Sequence, residues 1–164
     1  METFDAISKR ASVREYQPKP IDRAVLEKLV DAARRAPTAR AVEPWEFVVI
    51  RETDILKKLG EIATSGSFIK DASSCIAVFC KDTKYYLEDG SAATENILLA
   101  AADLGLGACW VAGDKKPYVG EVSKLLGARP DLRLVSLISL GWPKKQAKQV
   151  KNRRLEHVIH WERF

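Results

Sequence analysis

Histidine and cysteine are scarce in this 164-residue chain, two and three respectively, and their scarcity removes several kinds of chemistry. His157 and His160 stand three apart, close enough for one helical face, but no cysteine or carboxylate cluster joins them, so no metal site is expected. Cys75, Cys80 and Cys109 include two in apolar, strand-like settings and have no base nearby in sequence, which argues against a nucleophilic thiol. Five residues apart on one strand, Cys75 and Cys80 point to opposite faces, and a local disulfide is disfavoured. Nothing in METFDAISKR looks like a secretory leader, and free cysteines suit a reducing cytoplasm. No GxGxxG follows a strand, no GxxxxGK precedes Ser or Thr, and no GxSxG occurs, so a dinucleotide fingerprint, a P-loop and a nucleophile elbow are all absent. No apolar run reaches the ~18 residues that a membrane span requires. Internal repeats and low-complexity linkers are also lacking.

What is present is one domain's length of alternating helix and strand signals, expected to fold as a single unit over residues 1–164. Twenty-seven basic residues against 22 acidic give a formal charge of +5, the balance of a soluble protein that attracts anions. The densest basic run, KKQAKQVKNRR at 144–154, has no aromatic interleaving or recognition-helix pattern, so nucleic acid is not an expected partner. The stretch SAATENILLAAADLGLGACWVAG (91–113) organises the rest. From Ala92 to Leu106 apolar residues point in nearly every helical direction, which calls for a helix buried on almost all sides; Gly105 and Gly107 end it, and Ala108–Ala112 reads as a short buried strand.

Before that stretch, residues 2–9 form a short amphipathic helix, RASVREY (10–16) is extended, and 23–35 is a one-sided helix stopped by Pro37. APTARAVEPW is a loop, EFVVIR (46–51) a strand, 54–62 a helix, 64–67 a polar break and SCIAVFC (74–80) a strand without alternation, as expected of one covered on both faces. After it, 116–126 reads as a helix and LRLVSLISL (132–140) as a fourth strand. Four buried strands among helices predict an α+β or α/β sheet covered on both faces. The tail LEHVIHWERF is too apolar to hang in water, and docking on a second subunit or on its own domain fits equally.

Cations gather at the two ends of the chain: Arg10 and Arg14 around Ser12, and Lys151, Arg153 and Arg154. Guanidinium pairs bind phosphate oxygens bidentately, and a hydroxyl two residues away adds a neutral donor to the same anion. Read alone, such a segment also describes an exposed strand edge with a solvated face.

Three segments in order change that weighting. ISKRASVREYQPKPIDRAVLEKLVDAARRAPTARAVEPWEFVVI, ATENILLAAADLGLGACWVAG and KNRRLEHVIHWERF together resemble the nitroreductase family of FMN-dependent oxidoreductases. The resemblance implies a homodimer with two FMN at its interface, in an α+β fold. Its central sheet has four to five strands, mixed but mainly antiparallel, flanked by helices, and the C-terminal segment docks on the partner. It further implies that Arg10, Ala11 and Ser12 hold the FMN phosphate or ribityl chain with Lys151 and Arg153, and that Arg14 reaches the pyrimidine edge. Pro37, Thr38, Ala39 and Ala41 come from the partner subunit; Trp110, Val111, Ala112 and Gly113 pass the isoalloxazine ring, with the Ala112 and Gly113 amides at its N5 and O4 edge. NADH or NADPH is the implied donor, and a nitroaromatic, quinone, free flavin or enone-like molecule the acceptor, in two half-reactions at flavin N5 that need no catalytic side chain; the alternative is a flavin-binding dimer without turnover, a sensor or carrier. Two positions depart from the family pattern: Ala41 stands where Asn is usual, and Glu43 where Gln is usual.

Overall fold

A computed structural model describes residues 2–164. Four strands, β1 (Trp45–Ile50), β2 (Ser74–Lys81), β3 (Gly107–Ala112) and β4 (Leu132–Gly141), form one sheet in the order β1-β2-β4-β3. Every ladder is antiparallel, so the mixed character expected of the sheet is reduced to one isolated parallel bridge, Ser12 to Ala108. Among the described residues five α-helices surround the sheet: α1 (Thr3–Lys9), α2 (Arg23–Ala33), α3 (Thr53–Ile62), α4 (Tyr86–Asp103) and α5 (Val119–Leu125).

β2 and β4, the two central strands, are the sequence runs without alternation, and the reason is visible in their neighbours. Ile76, Val78, Cys80, Ile138 and Leu140 face a core shared with Leu26 and Leu29 of α2 and Ala93, Ile97 and Ala101 of α4. Cys75, Ala77, Phe79 and Leu137 face the other core, with Leu56 and Leu59 of α3 and Val122 of α5. Cys75 and Cys80 thus lie on opposite faces, and all three cysteines are free.

α4 begins six residues earlier than its apolar run. Its buried stripe is Ala93, Thr94, Ile97, Leu98 and Ala101, whereas Ala92, Glu95, Leu99 and Ala102 stay partly exposed. The all-round burial expected of this helix is therefore half met within one chain. Two polar side chains tie it down: Thr94 donates to the Gly90 carbonyl at 2.8 Å and lies 2.8 Å from the Ser136 hydroxyl, and the Asn96 amide donates to Ala32 at 2.9 Å. Its end is a Schellman turn, with Leu106 N–H to Ala101 C=O at 2.8 Å and Gly105 N–H to Ala102 C=O at 3.2 Å. Gly105 adopts φ +73°, a region open to glycine and costly for most side chains.

β3 corrects the expectation of a buried third strand. It lies at the sheet edge, where Trp110 and Ala112 are exposed and Cys109 and Val111 buried. Tyr16 pins the extended N-terminal segment beside it. Its hydroxyl donates to the Val13 carbonyl at 2.6 Å and meets Ser139 at 2.7 Å, while Gln17 N–H donates to Trp142 at 2.8 Å. Residues 64–67, read as a polar break, open a 3-10 segment that runs over Thr64–Asp71. Residues 150–164 are exposed throughout, including Leu155, Trp161 and Phe164.

Candidate functional site

The segment Arg10–Arg14 is laid along the free edge of β3. Val13 N–H donates to the Ala108 carbonyl at 2.9 Å, and Val13 is buried against Gly107, where a Cβ would meet its Cγ1 at 2.6 Å. Extended backbone alternates its side chains, so with Val13 turned inward Arg10, Ser12 and Arg14 share the other side. They converge on Cys109. Burial pushes the Cys109 thiol up, and Arg14, Ser12 and Arg10 each oppose that shift. The Arg14 guanidinium also lies 5.7 Å from the centre of the Phe68 ring. Among the described residues neither Arg10 nor Arg14 is paired with a carboxylate. Two unpaired guanidinium groups and a hydroxyl in a row suit an anion with several oxygens.

Beside this row runs a groove of about 490 Å³ lined by Lys9, Arg10, Ala11, Gly105, Lys148 and Gln149 among others. The tail is tied in here, with the Gln149 side chain donating to the Ile7 carbonyl at 2.6 Å. The tail cation that shares this groove with Arg10 is Lys148, which the sequence did not single out. Lys151 and Arg153 lie beyond the groove, exposed, with Arg153 donating to the His157 carbonyl.

The outward edge of β3 is polarised. Gly113 N–H donates to Val135 of β4 at 3.1 Å, so odd-numbered residues of β3 point their peptide groups at β4 and even-numbered ones point outward. The expectation that both the Ala112 and Gly113 amides are available is therefore corrected. Ala112 presents its N–H to the outside, as does Trp110, but the Gly113 amide belongs to the sheet.

Pro37, Thr38, Ala39 and Ala41 occupy a separate loop organised by Asp89, a carboxylate only 4% exposed. Asp89 accepts from the Thr38 hydroxyl at 2.8 Å and from Ala39 N–H at 3.0 Å, and the Thr38 hydroxyl in turn accepts from Glu43 N–H at 3.1 Å. Arg40, Ala41 and Glu43 all have positive φ (58°, 53° and 48°). Asp89 sits in the first turn of α4, whereas Arg10 and Ala11 line the same groove as Ala102 near its end. Thirteen residues separate those points, roughly 20 Å of helix. The site residues thus form two groups at opposite ends of one helix. Asp89 escaped the sequence reading because an acidic residue in a helix's first turn is ordinary on its own.

Among the described residues no group of His, Cys, Asp and Glu side chains could hold a metal ion, and no helix is long and apolar enough to cross a membrane.

Residues 7–87 and 81–142 match the model of the family described as Nitroreductase family. The chain belongs to the nitroreductase family. A protein of Archaeoglobus fulgidus, provisionally named NADH dehydrogenase/NAD(P)H nitroreductase, is 37% identical over 173 residues, spanning 99% of each chain. The solved structure of an FMN-dependent nitroreductase from Clostridium difficile R20291 superposes with a TM-score of 0.92 at 26% identity, over 98% of this chain and 99% of that one. A protein from Desulfovibrio desulfuricans, provisionally named a nitroreductase and solved in complex with FMN, gives a TM-score of 0.84 at 26% identity, over 100% and 98%. The stretches matched to the nitroreductase family include Arg10–Arg14, the Pro37–Ala41 loop and Trp110–Gly113, and stop short of Lys151 and Arg153.

Proposed function

We propose that this chain is an FMN-dependent oxidoreductase that takes electrons from NADH or NADPH and passes them to a small acceptor such as a nitroaromatic, a quinone or free flavin. The observation that carries this reading is the row of Arg10, Ser12 and Arg14, its two guanidinium groups without a carboxylate partner among the described residues, along a β3 edge whose Trp110 and Ala112 amides face outward. FMN, when bound, supplies the hydride and electron chemistry of both half-reactions in a ping-pong cycle. The protein's work is to hold and polarise it. Arg10, Ala11 and Ser12 bind the phosphate and ribityl end, joined by Lys151 and Arg153 from the tail and by Lys148 from the adjoining groove. Arg14 places a fixed positive charge at the pyrimidine edge, where negative charge collects on reduction, and the Ala112 amide adds a backbone donor beside Trp110 and Val111.

The two groups of site residues at opposite ends of α4 favour a homodimer in which Pro37, Thr38, Ala39 and Ala41 reach the cofactor of the second copy. The partly exposed side of α4 and the exposed Trp161 and Phe164 of the tail support the same arrangement, with the tail docked on the partner. We place this dimer in the cytoplasm, each copy one domain over residues 1–164.

The purified protein should be yellow, or become so with FMN, and should bleach anaerobically with NADH or NADPH. A colourless protein that ignores added FMN overturns the cofactor assignment; a yellow one that neither nucleotide bleaches overturns the donor. Replacing Arg10 or Arg153 by Ala should weaken FMN retention more than tenfold, since a charge-assisted contact is worth about 1.5–3 kcal/mol. Unchanged affinity in both variants would move the phosphate elsewhere.

A further inference from the structure

Tyr118 stands just before α5, 5% exposed, among the buried residues shared by β3, β4 and α5. Its hydroxyl donates to the Ala112 carbonyl at 2.5 Å and lies 3.3 Å from the Ser65 hydroxyl. The same peptide unit is held from its other side, because the Gly113 N–H donates to Val135 at 3.1 Å. Ala112–Gly113 is therefore clamped at both its oxygen and its nitrogen.

The clamp matters for the polarity of the edge. Outward-facing carbonyls of β3 belong to Ala108, Trp110 and Ala112, and each meets a donor of this chain: Val13 N–H at 2.9 Å, the Cys109 thiol at 3.9 Å and the Tyr118 hydroxyl at 2.5 Å. Trp110 and Ala112 N–H remain facing outward. An edge whose acceptors are occupied and whose donors are open repels no lone pair and attracts developing negative charge, all the more with Arg14 on the neighbouring segment.

We propose that Tyr118 is a positioning residue for the bound flavin: by occupying the Ala112 carbonyl it fixes this peptide so that β3 offers donors alone to the ring, favouring reduced over oxidised FMN. The proposal rests on the FMN reading above. Phenylalanine keeps the ring's packing and removes the donor, leaving the Ala112 carbonyl free to compete at the edge.

The test is the midpoint potential of the FMN-loaded protein, wild type against Tyr118→Phe. The preference for reduced over oxidised FMN should fall about tenfold, which for a two-electron couple lowers the potential by about 30 mV. In the ligand-free protein, amide exchange at Gly113 should speed up in the same variant. Difluorotyrosine at position 118, a stronger donor of nearly the same shape, should raise the potential; this arm keeps the proposal open to refutation if Tyr118→Phe does not fold. A yellow variant whose potential equals that of wild type, or a fluorinated one that shifts downward, overturns the role of Tyr118 alone. A wild type that takes up no FMN overturns the cofactor reading instead.

Discussion

Ala41 carries backbone strain that its side chain does nothing to relieve. Its φ of 53° lies in the left-handed region, where an L residue with a Cβ pays roughly 1–2 kcal/mol and asparagine is better tolerated. It is also where the family pattern usually has Asn. Ala41→Asn should therefore raise stability by about 0.5–1 kcal/mol, a melting temperature higher by about 1–4 °C for a chain of this size. Calorimetry of the two proteins decides it, and an unchanged or lower melting temperature removes the strain argument. Three positive-φ residues within 40–43 persist because Asp89 grips the loop through Thr38 and Ala39. That grip was invisible in the sequence: fifty residues separate Asp89 from Ala39, and a carboxylate's partners are decided by tertiary packing alone. The row Arg10, Ser12, Arg14 was legible because extended backbone puts alternate residues on one side whatever surrounds it.

Among elements, the N-terminal segment depends on a glycine in the strand beside it. Gly107 lets Val13 pack directly on the β3 backbone; a Cβ there would meet Val13 at 2.6, 2.8 and 3.0 Å, involving both methyls and its Cβ. Gly107→Ala should cost about 1–3 kcal/mol as overpacking, and it should loosen FMN as well, because Arg10, Ser12 and Arg14 ride on the displaced segment. Gly120→Ala in α5, where nothing lies within 4 Å of the added Cβ, serves as the control and should leave FMN affinity unchanged. A Gly107→Ala protein that binds FMN as tightly as wild type would detach the cation row from the cofactor. The same scale shows what patterning can report. β2 and β4 were readable because unbroken apolar runs mean burial on both faces, whereas β3, equally apolar, is an edge strand with Trp110 exposed. Strand order is a property of the sheet, and composition cannot rank strands of similar hydrophobicity. α4 likewise starts at Tyr86 among polar residues, with no side-chain cap at Tyr85 to announce it.

For the molecule as a whole, the two cores make the sheet a barrier against ionisation of the thiols it covers. Cys75 and Cys80 are fully buried on opposite faces, and burial pushes each from the ordinary 9.0 up to about 12, with the nearby Asp89 charge adding to the effect on Cys80. Both groups have folded values above their unfolded ones, so their contribution is fully present below pH 9 and is lost as pH rises toward 12. In that window the unfolded chain has released protons that the folded chain keeps, and each thiol tilts the balance toward unfolding by about 1.4 kcal/mol per pH unit. Urea midpoints measured from pH 8 to pH 11 should stay level at first and then fall steeply beyond about pH 9. Replacing both cysteines by Ala lowers stability at neutral pH by opening space in each core, yet it should flatten the alkaline limb by up to about 3 kcal/mol per pH unit, the sum of the two slopes. An alkaline slope unchanged in the double variant would show that other groups, not the thiols inside the two cores, set the upper pH limit of the fold.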